Sequence, residues 1–317
     1  MPASSARTGA PVGASTGAYA VLLLTVFIDM VGFGIIIPLL PFWAEHFDAT
    51  PDLVALLMSV YAAFQFVFAF FWGWLSDRFG RKPILLISLF GSVTSFLLLG
   101  LADSLLMIFV SRALGGIMGA NIAVAQAYIA DVTTRENRAK GMGLLGAAFG
   151  MGFILGPALG GLLAGSDPAN PDFRTPFYVA AGISMLSLMM GLIFLREPAR
   201  HEGPQLPRNI VERFRAFAVV IAHPKVAWPI LIAFIMGFAM AGLEATYALW
   251  LGRAHGWGGR GTGFFFAYIG VLLVIVQAGL VGRLSRRFGE AWVLVAGVTI
   301  MMLGFAMVPL SLTVPLI

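Results

Sequence analysis

Long apolar runs dominate this sequence and limit what it can fold into. About 20 predominantly apolar residues are enough for a helix to cross a bilayer, and nine runs of that kind follow one another along the chain. None of them alternates with the period of two that marks a barrel strand. We therefore predict an all-α polytopic membrane protein with spans at residues 18–42, 53–75, 84–102, 106–130, 140–164, 175–195, 227–251, 263–283 and 291–310.

The composition excludes a water-soluble domain and most catalytic classes. Hydrophobic residues make up 59% of the 317-residue chain and charged residues only 11%, against about 25% charged in soluble domains. With no Cys and four scattered His, we expect no disulfide, no metal site and no cofactor. The sequence shows no nucleophile–base constellation and no nucleotide-binding phosphate loop. We expect a protein that is not an enzyme.

The basic residues favour one side of the predicted membrane. Of the 20 Lys and Arg, Arg112 falls within a span and most others fall in loops on one side. The opposite side holds only Arg174, Arg253 and Arg260. Cytoplasmic loops carry such a basic excess, so we predict a cytoplasmic N-terminus in a plasma membrane, in bacteria the inner membrane. The same bias explains the net charge of +5 without nucleic-acid binding.

A ten-residue charged turn occurs twice. Residues 73–82 read GWLSDRFGRK and residues 282–291 read GRLSRRFGEA, with the same residue at six positions. The first copy joins the second predicted span to the third, and the other joins the eighth to the ninth. Two like halves that enclose a site near the bilayer midplane are the architecture of secondary transporters.

These positions predict a six-span first half and three spans of an incomplete second half. We divide the chain into a cytoplasmic tail (1–17), an N-terminal half (18–195), a cytoplasmic linker (196–226) and a partial C-terminal half (227–317). We expect further spans of a twelve-span protein beyond residue 317, and a natural nine-span product is the alternative. Apolar residues between 211 and 218 fit either a helix on the membrane surface or a solvated linker.

The first copy of the turn resembles the hallmark loop of the major facilitator superfamily, G-x-L-a-D-r-x-G-r-k, at the same place between spans two and three. The resemblance implies a bundle with alternating access in which this loop latches the two halves, chiefly through Asp77 and Arg81. In the second copy, Arg286 and Glu290 replace these two residues, so the same groups cannot do the same work there. We assign to the latch Gly73, Asp77, Arg78, Gly80, Arg81, Lys82 and Asp131, the last expected to contact Arg81.

Span five carries a glycine-rich motif. Residues 152–161 read GFILGPALGG, which resembles the g-x-x-x-G-P-x-x-G-G motif of the drug/proton antiporters of the superfamily. Glycines four residues apart let a neighbouring helix approach closely, and a proline bends a span. The resemblance favours export over import, and a generic packing face is the other interpretation. The motif residues are Gly152, Gly156, Pro157, Gly160 and Gly161.

Three ionisable residues, Asp29, Arg112 and Glu244, lie within predicted spans. A charge at the bilayer centre costs about 2.5–3.5 kcal/mol on insertion scales, and such residues usually line a transport pathway. Asp29 and Arg112 resemble the acidic first-span and basic fourth-span motifs of the antiporters. The resemblance implies a part in proton transfer, and we expect the two to pair across helices. Glu244 matches no motif and suits a proton carrier or a cation site. A structural ion pair or a polar group at the edge of a cavity is the alternative for each.

Polar side chains within apolar spans either line a substrate cavity or join helices by hydrogen bonds. Those residues are Gln65, Asn121, Gln126 and Gln277. We expect a proton-coupled exporter of small amphipathic drugs of the tetracycline or multidrug type, with drug, protons and lipid as its partners. A proton-coupled metabolite importer and a non-transporting membrane protein are the alternatives. The sequence does not indicate the oligomeric state.

Overall fold

Most of each predicted apolar run is helical in the part of the chain that the computed structural model describes, and that part contains no strand. Residues 1–15 of the tail lie outside the described residues, as do most of residues 211–218, where a surface helix and a solvated linker both stay open. The structure describes residues 16–119, 121–133, 135–165, 171–198 and 222–308, with 212, 215 and 219.

The elements follow the order of the predicted spans, with some spans divided in two. They are α1 (Thr16–Ile36), α2 (Leu40–Glu45), α3 (Pro51–Phe79), α4 (Arg81–Leu101), α5 (Leu105–Met118), α6 (Asn121–Val132), α7 (Arg135–Leu163), α8 (Arg174–Phe194), α9 (Pro224–His255), α10 (Gly259–Ile275), a π-helix (Val276–Val281), α11 (Gly282–Phe288) and α12 (Glu290–Met307).

Among the described residues, six helical segments are long and apolar enough to cross a membrane, and three shorter apolar helices match the other predicted spans. The shorter ones are Ala20–Ile36, Gly259–Ile275 and Ala291–Met307. The long segments are Pro51–Phe79, Arg81–Leu101, Leu105–Val132, Lys140–Leu163, Arg174–Phe194 and Val226–His255.

The first predicted span, 18–42, is divided because prolines interrupt it. Helix α1 ends at Ile36, and α2 begins at Leu40. Pro38 lies between them; a proline disfavours helical geometry at the preceding residue and removes a backbone donor. Pro41 lies in the first turn of α2, where its fixed φ is compatible with a helix and its missing N–H is not needed.

The first half is a bundle in which α1 and α4 each pack against several other helices. Helix α1 packs against α7 and α8, α4 against α8 and α5, and α3 against α5. One buried cluster includes Trp43, Leu99 and Phe177. A second, at the end that carries the first charged turn, includes Leu85 and Tyr128. We call the end of the bundle that carries the first charged turn the basic end.

The last three predicted spans meet the first half mainly through α10, which packs along α7. Helix α9 reaches α2 and α3 at the end away from the basic end. Helices α9 and α12 expose large apolar side chains, among them Phe234, Phe238, Trp292 and Ile300. These exposed side chains suit contact with lipid or with other helices.

Candidate functional site

The first charged turn is built on one glycine rather than two. Gly80 has φ +109°, in a region that L-residues with a side chain rarely adopt, and its N–H donates to the Ser76 carbonyl over 3.1 Å. Gly73 lies inside α3, and a Cβ there would meet no atom within 4 Å. Of these two glycines, only Gly80 has the backbone conformation that reverses the chain.

Arg81, the first residue of α4, forms ion pairs with acidic side chains around the turn. Its Nη1 lies 2.6 Å from Asp77 Oδ1 and donates to Ser76 Oγ over 2.7 Å. Its Nε donates to Asp131 Oδ2 over 2.8 Å. The predicted contact between Arg81 and Asp131 is confirmed. Charge-assisted hydrogen bonds of this length are the stronger kind, so α3, α4 and α6 are tied together at the basic end.

The other basic residues of the turn have separate partners. The Arg78 guanidinium lies over the Trp74 and Phe79 rings, 5.7 and 5.6 Å from their centroids, which is within cation–π range. Lys82 Nζ donates to the Leu192 carbonyl of α8 over 3.1 Å. These contacts attach the turn to α3, the helix that precedes it, and to α8, which is distant in sequence.

Glu197 is a further partner of the turn that sequence reasoning missed. Its two carboxylate oxygens accept the backbone N–H groups of Arg81 and Lys82 over 2.6 and 2.8 Å. The available signal was an acidic residue just after the sixth span, on the side where basic residues accumulate. Only the packing of α8 beside α4 brings this carboxylate to the turn.

Asp29 of α1 and Arg112 of α5 line one small cavity. Both are buried, with 2% and 4% of their surface exposed. The cavity measures about 20 Å³ and is also lined by Tyr61, Ser92 and Ser95. A drug-sized pocket measures about 300–1,000 Å³, whereas about 10–15 Å³ admits one water molecule. The volume suits protons and water rather than a drug.

Charged groups in this cavity lie close to neighbouring side chains, but their hydrogen-bonding capacity is only partly used. The Arg112 guanidinium lies 4.1 Å from the Tyr61 ring centroid, and Ser184 Oγ donates to Asp29 Oδ1 over 3.4 Å. Within the described residues, Arg112 Nε is buried without a hydrogen-bond partner. An unpaired buried donor in a cavity that a carboxylate also lines makes the cavity sensitive to the protonation of that carboxylate. The predicted pairing of Asp29 with Arg112 stays a prediction.

Close helix packing positions Arg112 against Tyr61. Ser111 Oγ donates to the Ser95 carbonyl over 2.7 Å, and Ser95 Oγ donates to the Ser111 carbonyl over 2.9 Å. A Cβ on Gly116 would lie 2.4 Å from the Tyr61 carbonyl oxygen. The glycine therefore allows α3 to approach α5, and the paired serines fix α4 on the other side.

The remaining candidate residues are not among those that line this cavity. Glu244 is a partly exposed residue of α9 and is not among the residues that line the cavity. Gln65 joins helices, since its Nε2 donates to the Gly119 carbonyl over 3.1 Å. Gln126 is exposed. The side chains of Asn121 and Gln277 lie outside the described part of the structure.

The glycine-rich motif of α7 packs on two neighbours at once. A Cβ on Gly152, Gly156 or Gly160 would lie 2.4–2.6 Å from atoms of α1. On the α10 side, Gly161 faces the Arg260 backbone, and a Cβ on Gly263 would lie 2.4 Å from the Pro157 carbonyl oxygen. Helix α7 thus contacts both the helix that carries Asp29 and the second half.

The comparison with known families agrees with this architecture. A model of the Major Facilitator Superfamily matches residues 22–317. The chain belongs to this superfamily. This makes it a multi-pass membrane protein of a transporter family.

Two proteins that are similar in sequence are resistance proteins. The class C tetracycline resistance protein of Escherichia coli is 33% identical over 296 residues, which cover 92% of this chain and 74% of that protein. Multidrug resistance protein 1 of Bacillus subtilis (strain 168) is 33% identical over 272 residues, covering 85% of this chain and 67% of that protein. The fold also matches a solved structure, a bacterial homologue of the human lysosomal transporter Spinster in an inward-facing, unoccupied conformation. The TM-score is 0.78 at 18% identity, covering 96% of this chain and 71% of that one.

Proposed function

We propose that this superfamily member exports small amphipathic drugs in exchange for protons by alternating access. In this proposal it lies in a bacterial inner membrane with its N-terminus in the cytoplasm. The observation that carries the proposal is the buried cavity shared by Asp29 and Arg112. The similarity to tetracycline and multidrug resistance proteins supplies the class of substrate.

The cavity accounts for a proton's effect on conformation. While Asp29 is ionised, its negative charge compensates Arg112 within the bundle. When Asp29 takes up a proton, the buried guanidinium loses that compensation, and an uncompensated buried charge is strongly unfavourable. Protonation therefore favours a state in which Arg112 gains other partners or water. A drug that binds the opposite state better completes an exchange cycle.

Helix α7 supports transmission from the cavity to the second half. Met30, next to Asp29, faces Gly152 so closely that a Cβ on Gly152 would lie 2.5 Å from the Met30 Cβ. The other side of α7 packs on α10. Interfaces packed this tightly shift between discrete arrangements rather than deform gradually. A change at Asp29 then reaches α10 through α7.

The other candidate residues take roles that fit their places. We assign the cluster of Asp77, Arg81 and Asp131 to a latch that rearranges during the cycle. We assign Glu244 to the substrate pathway, because it is a carboxylate on an apolar helix of the second half and lies apart from the proton cavity.

The test is proton movement driven by drug in vesicles that contain the protein encoded by the complete gene. We expect Asp29→Asn to abolish drug-driven proton flux while drug-for-drug exchange persists, because exchange needs no change of protonation. The matched control is Asp103→Asn, an exposed aspartate outside the cavity, and it should behave as the wild type. Unchanged proton flux in Asp29→Asn would contradict the proposal.

A further inference from the structure

Glu197 caps a helix that begins 116 residues earlier in the chain. The N-cap position of α4 is Gly80, which has no side chain, and α4 has no side-chain cap hydrogen bond of its own. The first N–H groups of a helix have no partner within the helix. Glu197 supplies the missing acceptors, since each of its oxygens takes one N–H, from Arg81 at 2.6 Å and from Lys82 at 2.8 Å.

Two further contacts hold the chain at the point where it leaves α8. The Tyr128 hydroxyl of α6 donates to the Arg196 carbonyl, and Lys82 Nζ donates to the Leu192 carbonyl over 3.1 Å. A Cβ on Gly80 would lie 2.7 Å from Glu197 Oε1, so the glycine leaves room for the carboxylate. The chain leaving α8 is therefore tied to α4 and α6, the helices that carry Arg81 and Asp131.

We propose that Glu197 is a positioning residue of the latch, which fixes the backbone of Arg81 so that its guanidinium reaches Asp77 and Asp131. The inference rests on the proposed alternating access. Because Glu197 closely follows α8, displacement of this end of α8 and rearrangement of the Arg81 cluster become one event. The residue acts through Arg81 and does not contact substrate.

The chemistry of the contact calls for a carboxylate. Here each of the two neighbouring N–H groups has its own acceptor oxygen, and an amide side chain offers only one oxygen. The negative charge also complements the positive end of the helix dipole and the neighbouring Lys82. Glu197→Gln therefore keeps the shape but loses one acceptor and the charge, whereas Glu197→Ala loses both acceptors.

The first readout is hydrogen exchange at the Arg81 and Lys82 amides in the protein encoded by the complete gene. We expect exchange at these amides to rise about fivefold in Glu197→Gln and more in Glu197→Ala, since hydrogen bonds to charged groups are lost. The matched control is Glu212→Gln, an exposed glutamate of the predicted linker, which should leave them unchanged. Unchanged exchange in Glu197→Ala overturns the proposal, whatever the protein transports.

The second readout is drug-for-drug exchange, which does not depend on proton coupling. We expect Glu197→Ala to lower the turnover rate several-fold with an unchanged KM, and Glu197→Gln to fall between it and the wild type. In an Asp131→Ala background the same substitution should change little, because the latch is already broken. A full additional loss in that background overturns the positioning role, as does a loss of thermal stability with normal turnover. If the wild type moves no drug, the proposed function fails, and hydrogen exchange alone decides this inference.

Discussion

The two copies of the charged turn share a backbone but differ in their partners. Gly80 has φ +109° and ψ 159°, and Gly289 has φ +83° and ψ 153°. Each glycine N–H donates to the carbonyl of the serine four residues earlier, over 3.1 and 2.9 Å. In each copy one helix ends at the glycine and the next begins directly after it.

The side chains around the two turns behave differently. Arg81 is paired with two aspartates and with Ser76 in the first copy. In the second, α11 buries no residue, and Arg287 lies over the Phe288 ring at 5.3 Å. Among the described side chains, Arg286 and Arg287 make no salt bridge. The local sequence is thus enough for the turn, whereas the charge cluster needs partners from distant segments.

The largest expected contrast is between Gly80→Ala and Gly289→Ala. Both place a Cβ on a backbone that only glycine readily adopts, at a cost of about 1–3 kcal/mol. At Gly80 the Cβ also meets Glu197 at 2.7 Å, whereas at Gly289 nothing lies within 4 Å. We expect Gly80→Ala to lower both the melting temperature and drug exchange, and Gly289→Ala to lower them less. Equal losses would show that the Glu197 contact adds nothing.

A charge-reversal cycle tests whether the first turn depends on its distant partner. We expect Arg81→Glu and Asp131→Arg each to lower drug exchange about tenfold, the scale of a lost charged hydrogen bond. The double variant should recover part of the rate, because it restores opposite charges. Arg286→Glu in the second copy is the control and should stay within about twofold of the wild type, as expected for an exposed charge. A double variant whose drug-exchange rate is no higher than that of either single variant would contradict a role for the Arg81–Asp131 pair in exchange.

An isolated ion pair at the other end of the bundle should matter least. Arg253 Nη2 lies 2.6 Å from Glu45 Oε1 and joins α9 to α2, but the Arg253 side chain is 61% exposed. Exposed pairs contribute about 0–1 kcal/mol and are screened by salt. We expect Arg253→Gln to change the drug-exchange rate only slightly at low salt and not at all at high salt. A tenfold effect that persists at high salt would mean that a single exposed pair rivals the Arg81 cluster.

Local patterns in the sequence predicted the spans and the turns, because apolar length and a glycine at a helix junction act within one segment. The division of the first span was not predicted, because hydropathy alone gives a continuous apolar run and does not register the break at Pro38. Arg112 stood out as a charge within a span. Its contact with Tyr61 could not be predicted from the sequence, because that contact depends on how α3 and α5 approach each other at Gly116. Glu197 was missed for the same reason: its partners belong to another helix.

The most direct test of proton-coupled export is uptake of tetracycline into vesicles that contain the protein encoded by the complete gene. With the lumen made acidic, protons leaving through the protein should drive the drug inward and concentrate it. Collapse of the pH gradient should abolish the accumulation, and Asp29→Asn should show none. Accumulation that survives collapse of the gradient, or that Asp29→Asn retains in full, would contradict the account.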